Sequence, residues 1–294
     1  THLKRSFPIV EAVANARAKL IPFHNHRDSG DVPVPGAKVY MDFAGPMTPS
    51  YPHKFNNYCG AIDAGSGWGR VVACHSPTAQ VATDTLQTLR VDLASLMGLS
   101  HPIKPQIVTT DQGSQFMSHH FTDFQSDEQI LHWPSTTYTP QQNSTIERMW
   151  GTRFATARVL LKFANLGPAF HPFALQTANW LWNRLPSPSR GNLSPYFILA
   201  RRPASLSYLK TFGSLVRMTL PMSVRQGDKH FNDRGLLGIY LGPSEKSPGS
   251  VIYSPATRKF YVTRQFICYE DIQPGVTHDN SKWRALEDQA TAAD

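Results

Sequence analysis

Apolar and polar residues alternate over Val39-Tyr-Met-Asp-Phe43, which predicts a strand. Two further apolar runs, Tyr58–Ala64 and Arg70–His75, are separated by Gly65-Ser-Gly-Trp-Gly69 and predict a hairpin. The period then lengthens. Val81, Leu86, Leu89, Leu93 and Leu96 recur at helical spacing, so a helix is predicted over Ala79–Met97, ended by Gly98. Next come a short strand over Gln106–Thr110 that stops at Asp111-Gln-Gly, a helix over His119–Gln129 and a strand over Leu131–Trp133. A polar loop, Thr136–Asn143, leads into a long helix from Ser144 to about Leu166, and another helix spans about Pro172–Leu185. This order predicts an α/β core: a mixed five-stranded sheet with helices on both faces.

The flanks read differently. Val10–Leu20 has helical spacing, and a linker with Pro22, Pro33, Pro35 and Gly36 follows it. After Pro186–Gly191 the chain turns irregular. From Gly213 the strand-like runs Ser214–Met218, Gly235–Gly242, Ser250–Tyr253 and Lys259–Ile267, broken by Gly and Pro, predict a small β-barrel. The expected domains are an arm and linker over 1–36, the core over 37–190, a linker over 191–212, a β-rich module over 213–272 and a mobile acidic tail over 273–294.

Charge follows this division. The net charge is +8, and Arg201–Glu270 holds 11 Lys/Arg against 4 Asp/Glu while the central stretch is nearly neutral. A basic surplus on the flanks suits a polyanion, either nucleic acid or an acidic membrane surface. Three cysteines, Cys59, Cys74 and Cys268, form neither a disulfide framework nor a CxxC metal site and suit a reducing compartment. No apolar run reaches the 18 or so residues of a membrane helix. The start at Thr1, without Met or a signal-peptide pattern, reads as that of a fragment excised from something longer.

The candidate chemistry lies in three carboxylates. Asp42 interrupts an apolar strand, where a carboxylate is costly unless paired or metal-bound. Asp111 stands at the C-terminal end of a strand, where α/β sheets place functional side chains. Glu147 stands in the first turn of a helix, where Ser144-Thr-Ile-Glu147 also fits a capping box. Such carboxylates suit Mg²⁺ or Mn²⁺, and two ions roughly 4 Å apart can clamp a phosphodiester.

With 35 residues between Asp111 and Glu147, the three resemble the D,D(35)E pattern of retroviral and retrotransposon integrases. Thr109–Phe116 resembles that family's block after the second aspartate. Tyr138-Thr-Pro-Gln-Gln-Asn-Ser-Thr-Ile-Glu-Arg148 resembles the "Y-T-P-Q-Q-N-G-x-x-E-R" block of copia-type retrotransposons. Ala178–Pro186, Ser194-Pro-Tyr196, Phe212-Gly-Ser214, Leu236–Gly242 and Arg264–Ile267 resemble later blocks in the same order, so the likeness runs over roughly residues 10–272. It implies an RNase H-like core, an SH3-like basic C-terminal module, and a multimer. It also implies that Asp42, Asp111 and Glu147 hold two Mg²⁺ or Mn²⁺ ions for attack of a DNA 3′-OH on target double-stranded DNA, with 3′-end processing as an additional step and the nucleus as the site of action.

The family's zinc module precedes the core. Val10 and Val13 occupy its last two cysteine positions here, and valine cannot ligate Zn²⁺. His24 and His26 read as linker residues. The DNA-contacting candidates are Tyr138, Gln141, Gln142 and Asn143 in the loop, then Arg148, Arg201, Arg202, Lys210 and Arg217. Trp68, Trp133, Trp150 and Trp180 are assigned to core or interface rather than to base stacking. Two rival readings stand: an idle or domesticated DNA-binding protein that keeps the fold, and an RNase H-like nuclease.

Overall fold

The computed structural model describes residues 33–135, 144–207, 209–219, 235–245 and 247–275. The chain divides into two compact units, one of Ala18–Ala155 with Ala178–Ser205, the other of Thr1–Arg17, Thr156–Thr177 and Leu206–Asp294. Val10, Val13, His24, His26, the loop residues Tyr138, Gln141, Gln142 and Asn143, and the tail beyond residue 275 lie outside the described residues.

The first unit holds β1 (Lys38–Ala44), β2 (Asn57–Asp63), β3 (Gly69–Cys74), α1 (Ala79–Met97), β4 (Ile107–Thr110), α2 (His119–Asp127) and β5 (Leu131–Pro134). It also takes the start of α3 (Ser144–Phe163), the end of α4 (His171–Trp182) and α5 (Pro195–Ala200). The sheet order is β3-β2-β1-β4-β5, antiparallel over the first three strands and parallel from β1 through β4 to β5. This is the mixed five-stranded sheet that the pattern of strands and helices predicts, and the core that the integrase resemblance implies is of that mixed kind.

Period-two alternation decides what each face of the sheet meets. Val39, Met41, Cys59, Ala61 and Val108 share one face and form a core with Leu86, Leu89 and Leu93 of α1 and Phe121 of α2. The spacing of those leucines is the helix's buried stripe. Thr78 caps its start by accepting from Val81 N, and Gly98 ends it at φ 72°, a left-handed conformation open to glycine. On the opposite face Gly60 lies under α3: a Cβ built there would stand 2.5 Å from Trp150 and 2.8 Å from Met149. With both faces covered, all seven residues of β2 are buried.

In the second unit β6 (Leu215–Thr219), β7 (Gly235–Pro243), β8 (Ser250–Ser254), β9 (Lys259–Thr263) and β10 (Phe266–Tyr269) form one antiparallel sheet in the order β10-β6-β7-β8-β9. Val216, Met218, Tyr240 and Ile252 make its core. The register shifts between Tyr240 and Pro243, at Gly242 with φ 102°. The run Lys259–Ile267, expected as one strand, is two. Gln265 N donates to Thr263 Oγ1, and Thr219 N donates to the Gln265 carbonyl, so a turn separates β9 from β10. α5, in a stretch expected to be irregular, is capped by Ser194, which accepts from Phe197 N, and has Pro195 in its first turn.

Candidate active site

β1 aims Asp42 at the α3 face of the sheet, because its register partner is Gly60 and its neighbours Met41 and Phe43 face the α1 core. The missing side chain at Gly60 is what admits Trp150 beside it. Burial pushes the Asp42 carboxyl up to about 7, Asp111 and Glu147 add to the rise, and the Phe43 backbone N–H and Trp150 indole pull it back. The Trp150 indole N–H is buried without a completed hydrogen bond, yet it acts on Asp42 more strongly than Glu147 does. The three candidate carboxylates thus act on one another through space.

Asp63, one strand over, shows the alternative fate of a buried carboxylate. It is fully buried, and its oxygens accept from Gly36 N, Ser66 N and Ser66 Oγ. Its polar needs are met within the fold, whereas burial and two like groups outweigh the N–H groups near Asp42.

Asp111 follows β4 directly, so alternation carries it to the same face as Asp42. Its Oδ1 accepts from Gly113 N at 3.1 Å, an Asx turn that starts the Gln112-Gly113 bend. Below that bend Phe116 is fully buried, its ring 5.3 Å from Phe43 and 5.4 Å from Phe121, and anchors the turn to the core. On the covered face, the Thr110 hydroxyl donates to the Asp111 carbonyl, and His132 Nε2 lies 2.9 Å from Thr110 Oγ1. Burial holds the His132 imidazole below its ordinary range, which suits a neutral ring donating to that oxygen.

Glu147 is exposed in the first turn of α3, where the helix N-terminus favours a carboxylate. Among the described residues it makes no hydrogen bond to Ser144 N, so the capping box is not formed there. The buried stripe Ile146, Met149, Trp150 and Arg153 fixes the helix on the sheet.

Arg153, six residues beyond Glu147 on α3, is 5% exposed. It lies over Gly69, with Nε 3.5 Å from Asn179 Oδ1 and its guanidinium 5.5 Å from the Trp182 ring centre. Burial, reinforced by nearby Arg190, pushes it down to about 9, so it stays charged at neutral pH. Asn179 and Asn183 both donate to the Gly69 carbonyl at 2.8 Å, and Gly69 N donates to Asn183 Oδ1 at 2.9 Å. The sequence pattern did not mark this clamp, although both asparagines sit in the Ala178–Pro186 block.

The remaining candidates are scattered. Arg148, Arg201 and Arg202 are exposed in the first unit; Lys210 and Arg217 belong to the second. Lys210 pairs with Glu270 at 3.4 Å, and the Arg217 chain runs alongside Gly235. Trp68 and Trp150 are buried as expected. Trp133 is not a core residue: it is 54% exposed.

Among the described residues no three His, Cys, Asp or Glu side chains lie close enough to hold a metal ion as they stand. The donor set nonetheless fits one. Hard carboxylate oxygens suit a divalent cation, and one would relieve both the burial that chiefly raises Asp42 and the added repulsion from Asp111 and Glu147. Among the described residues no helix is long and apolar enough to cross a membrane.

No protein-family model matches the chain. It is 29% identical over 161 residues, 55% of its length, to the retrovirus-related Pol polyprotein from transposon TNT 1-94 of Nicotiana tabacum, and covers 12% of that protein. It is 32% identical over 104 residues, 35% of its length, to the Pol polyprotein from transposon RE2 of Arabidopsis thaliana, and covers 7% of it. These two relatives are Pol polyproteins of copia-type transposons. The chain spans about a tenth of the length of these relatives. Among solved structures it resembles the HTLV-2 integrase catalytic core in complex with magnesium, with 20% identity, a TM-score of 0.42, and coverage of 56% of this chain and 97% of that one.

Proposed function

We propose that this chain is the integrase segment of a retrotransposon Pol polyprotein and that it joins element DNA ends to target DNA by strand transfer. The observation that supports this reading is that Asp42 on β1 and Asp111 at the end of neighbouring β4 share the sheet face that α3, the helix bearing Glu147, covers. Asp42 and Asp111 come from adjacent strands and Glu147 from the helix that Gly60 admits, so the backbone under each belongs to a packed element. These three would hold two Mg²⁺ or Mn²⁺ ions, which would supply activation of the attacking hydroxyl and charge stabilisation at the leaving oxygen.

The chain's own part is to align the DNA. A 3′-OH attacks a target phosphorus in line; a new P–O bond forms as the bond to the target 3′ oxygen breaks. The hydroxyl's proton departs, and the leaving oxygen takes one up. No covalent enzyme intermediate is needed. The 37–190 segment carries the chemistry in this reading, and the basic 213–272 segment and Arg148, Arg201 and Arg202 hold phosphates. Double-stranded DNA as both donor and target implies a multimer that brings two ends together and action in the nucleus.

The test is a strand-transfer assay with Mg²⁺ or Mn²⁺, run beside an RNA–DNA hybrid cleavage assay. Joining of a 3′-OH oligonucleotide end to plasmid DNA, lost in Asp111→Asn with DNA binding retained, is the expected result. Hybrid cleavage without joining would replace the reading with a nuclease; DNA binding with neither activity would replace it with an idle DNA-binding protein.

A further inference from the structure

The edge strand β5 carries an exposed apolar pair that neither the core nor the carboxylate site uses. Leu131 and Trp133 are each 54% exposed, while His132 between them faces the covered side, its ring 5.7 Å from Phe121. Among the described residues Trp133 makes no ring contact and no hydrogen bond. Its register places it in one row with Thr109 of β4 and Tyr40 of β1. That row lies on the face of Asp42, two residues short of it along β1. Strand spacings of about 4.8 Å and a rise of about 3.3 Å per residue put Trp133 roughly 12 Å from Asp42, Cα to Cα. At the far end of the row Lys38 Nζ stands 4.9 Å from the Tyr40 ring centre. An exposed indole, a half-buried tyrosine and a cation thus line the sheet face beside the carboxylates.

We propose that Trp133, backed by Leu131, is a stacking platform for an unpaired nucleobase of the DNA strand whose end enters the carboxylate site. This rests on the strand-transfer reading and adds to it a demand on the substrate: the end must present a base outside the duplex. Bases within a duplex have both faces covered by neighbours, so only an unpaired or terminal base can stack on a side chain. Size favours a base over a protein partner. A stable protein interface buries about 800 Å² on each side, far more than two side chains on a four-residue strand offer, whereas one indole face matches one base. Lys38 supplies charge for the adjoining phosphate.

The experiment uses the full chain and a DNA end with 5-iododeoxyuridine at its terminal or penultimate position. Long-wavelength irradiation should crosslink it to Trp133, with the site read by mass spectrometry. Trp133→Ala should abolish that crosslink and weaken binding of an end with an unpaired terminal base by on the order of ten-fold, as loss of one stacked base does. Binding of a fully paired, blunt duplex should not change, and Trp133→Phe should restore most of the loss. Thermal unfolding of both variants checks that the fold is intact. A crosslink elsewhere with unchanged affinity would overturn the proposal. So would a Trp133→Ala variant whose oligomeric state shifts while its DNA affinity does not, which would make this face a protein interface. Strand transfer that persists in the variant with no preference between frayed and blunt ends would sink the platform and leave the strand-transfer reading standing. Failure of the wild-type chain to bind any DNA would remove both.

Discussion

All seven residues of β2 are buried, whereas none of the five residues of β9 is. β2 has a helix against each face and runs as small and apolar residues, Asn-Tyr-Cys-Gly-Ala-Ile-Asp. β9 is an edge strand and runs as Lys-Phe-Tyr-Val-Thr, with Lys259 and Val262 exposed. A sheet sealed on both sides makes a stiff platform, on which three carboxylates that repel one another can be held at fixed places despite the cost. An open edge strand such as β9 cannot hold such a group dry, but it can display cations to a polyanion at little cost. In the strand-transfer reading proposed above, the first sheet would carry the chemistry and the second would hold DNA.

Breaking the first task should give the largest effect. Asp111→Asn should lower strand transfer by at least roughly a thousand-fold, since several kcal/mol of charge stabilisation would be lost. Affinity for DNA should stay within about two-fold by fluorescence anisotropy, because the phosphate contacts lie elsewhere in this reading. An Asp111→Asn enzyme with a normal joining rate would end the division between the sheets.

Gly60→Val probes the stiffness itself. The added Cβ would meet Trp150 and Met149 at under 3 Å, so α3 must shift or the strand must bend. We expect a stability loss of about 1–3 kcal/mol in urea unfolding and a fall in joining rate larger than the fall in DNA affinity. An unchanged unfolding midpoint would mean that α3 does not rest on Gly60.

The third expectation concerns pH. Between the ordinary carboxylate value of 3.8 and about 7 the metal-free folded state retains a proton on Asp42 that the unfolded chain has lost. The folded state binds more protons in that window, so stability should fall as pH rises through it. Asp42→Asn should flatten that fall, and Mg²⁺ or Mn²⁺ should reverse it in the wild type. Thermal melts across pH 4–8 with and without metal read both.

The smallest effects should come from the second sheet. Lys210→Ala and Arg217→Ala should each reduce the dependence of log affinity on log salt by about one, with little change in joining rate on bound DNA. Lys210 is also tied to Glu270, so its variant should show the weaker effect. A salt slope unmoved by either would remove the holding role from this sheet.

Much of the mixed sheet was legible because its signals are local. β1, β2 and β3 each begin and end within a residue or two of the predicted runs, and α1 starts at Ala79 and stops at Gly98 as the leucine period and the glycine dictate. α5 escaped because six residues are too few for a period to show, although Ser194-Pro195 is a helix-start signal in its own right. The split between β9 and β10 escaped because Thr263-Arg-Gln265 contains neither Gly nor Pro. Of the candidate site, the sequence marked the three carboxylates through spacing and neighbouring words. It could not mark Gly60 or the Asn179–Asn183 clamp, whose roles depend on which elements meet across long separations. Trp133 shows the same limit. Alternation tells that it and His132 point oppositely, but not which of the two faces a helix covers.

The clamp on Gly69 has a consequence for the order in which this chain can become itself. The start of β3 is hydrogen-bonded by side chains 110 and 114 positions further on. A ribosome therefore releases the first three strands long before the groups that satisfy Gly69 exist. The hairpin must wait as an unfinished edge while α1, α2 and α3 are made. Closure over so long a loop is slow, and it makes the end of α4 the latch of the unit rather than an appendage to it. Cleavage of a polyprotein between residues 155 and 178 would cut the latch from the sheet it secures.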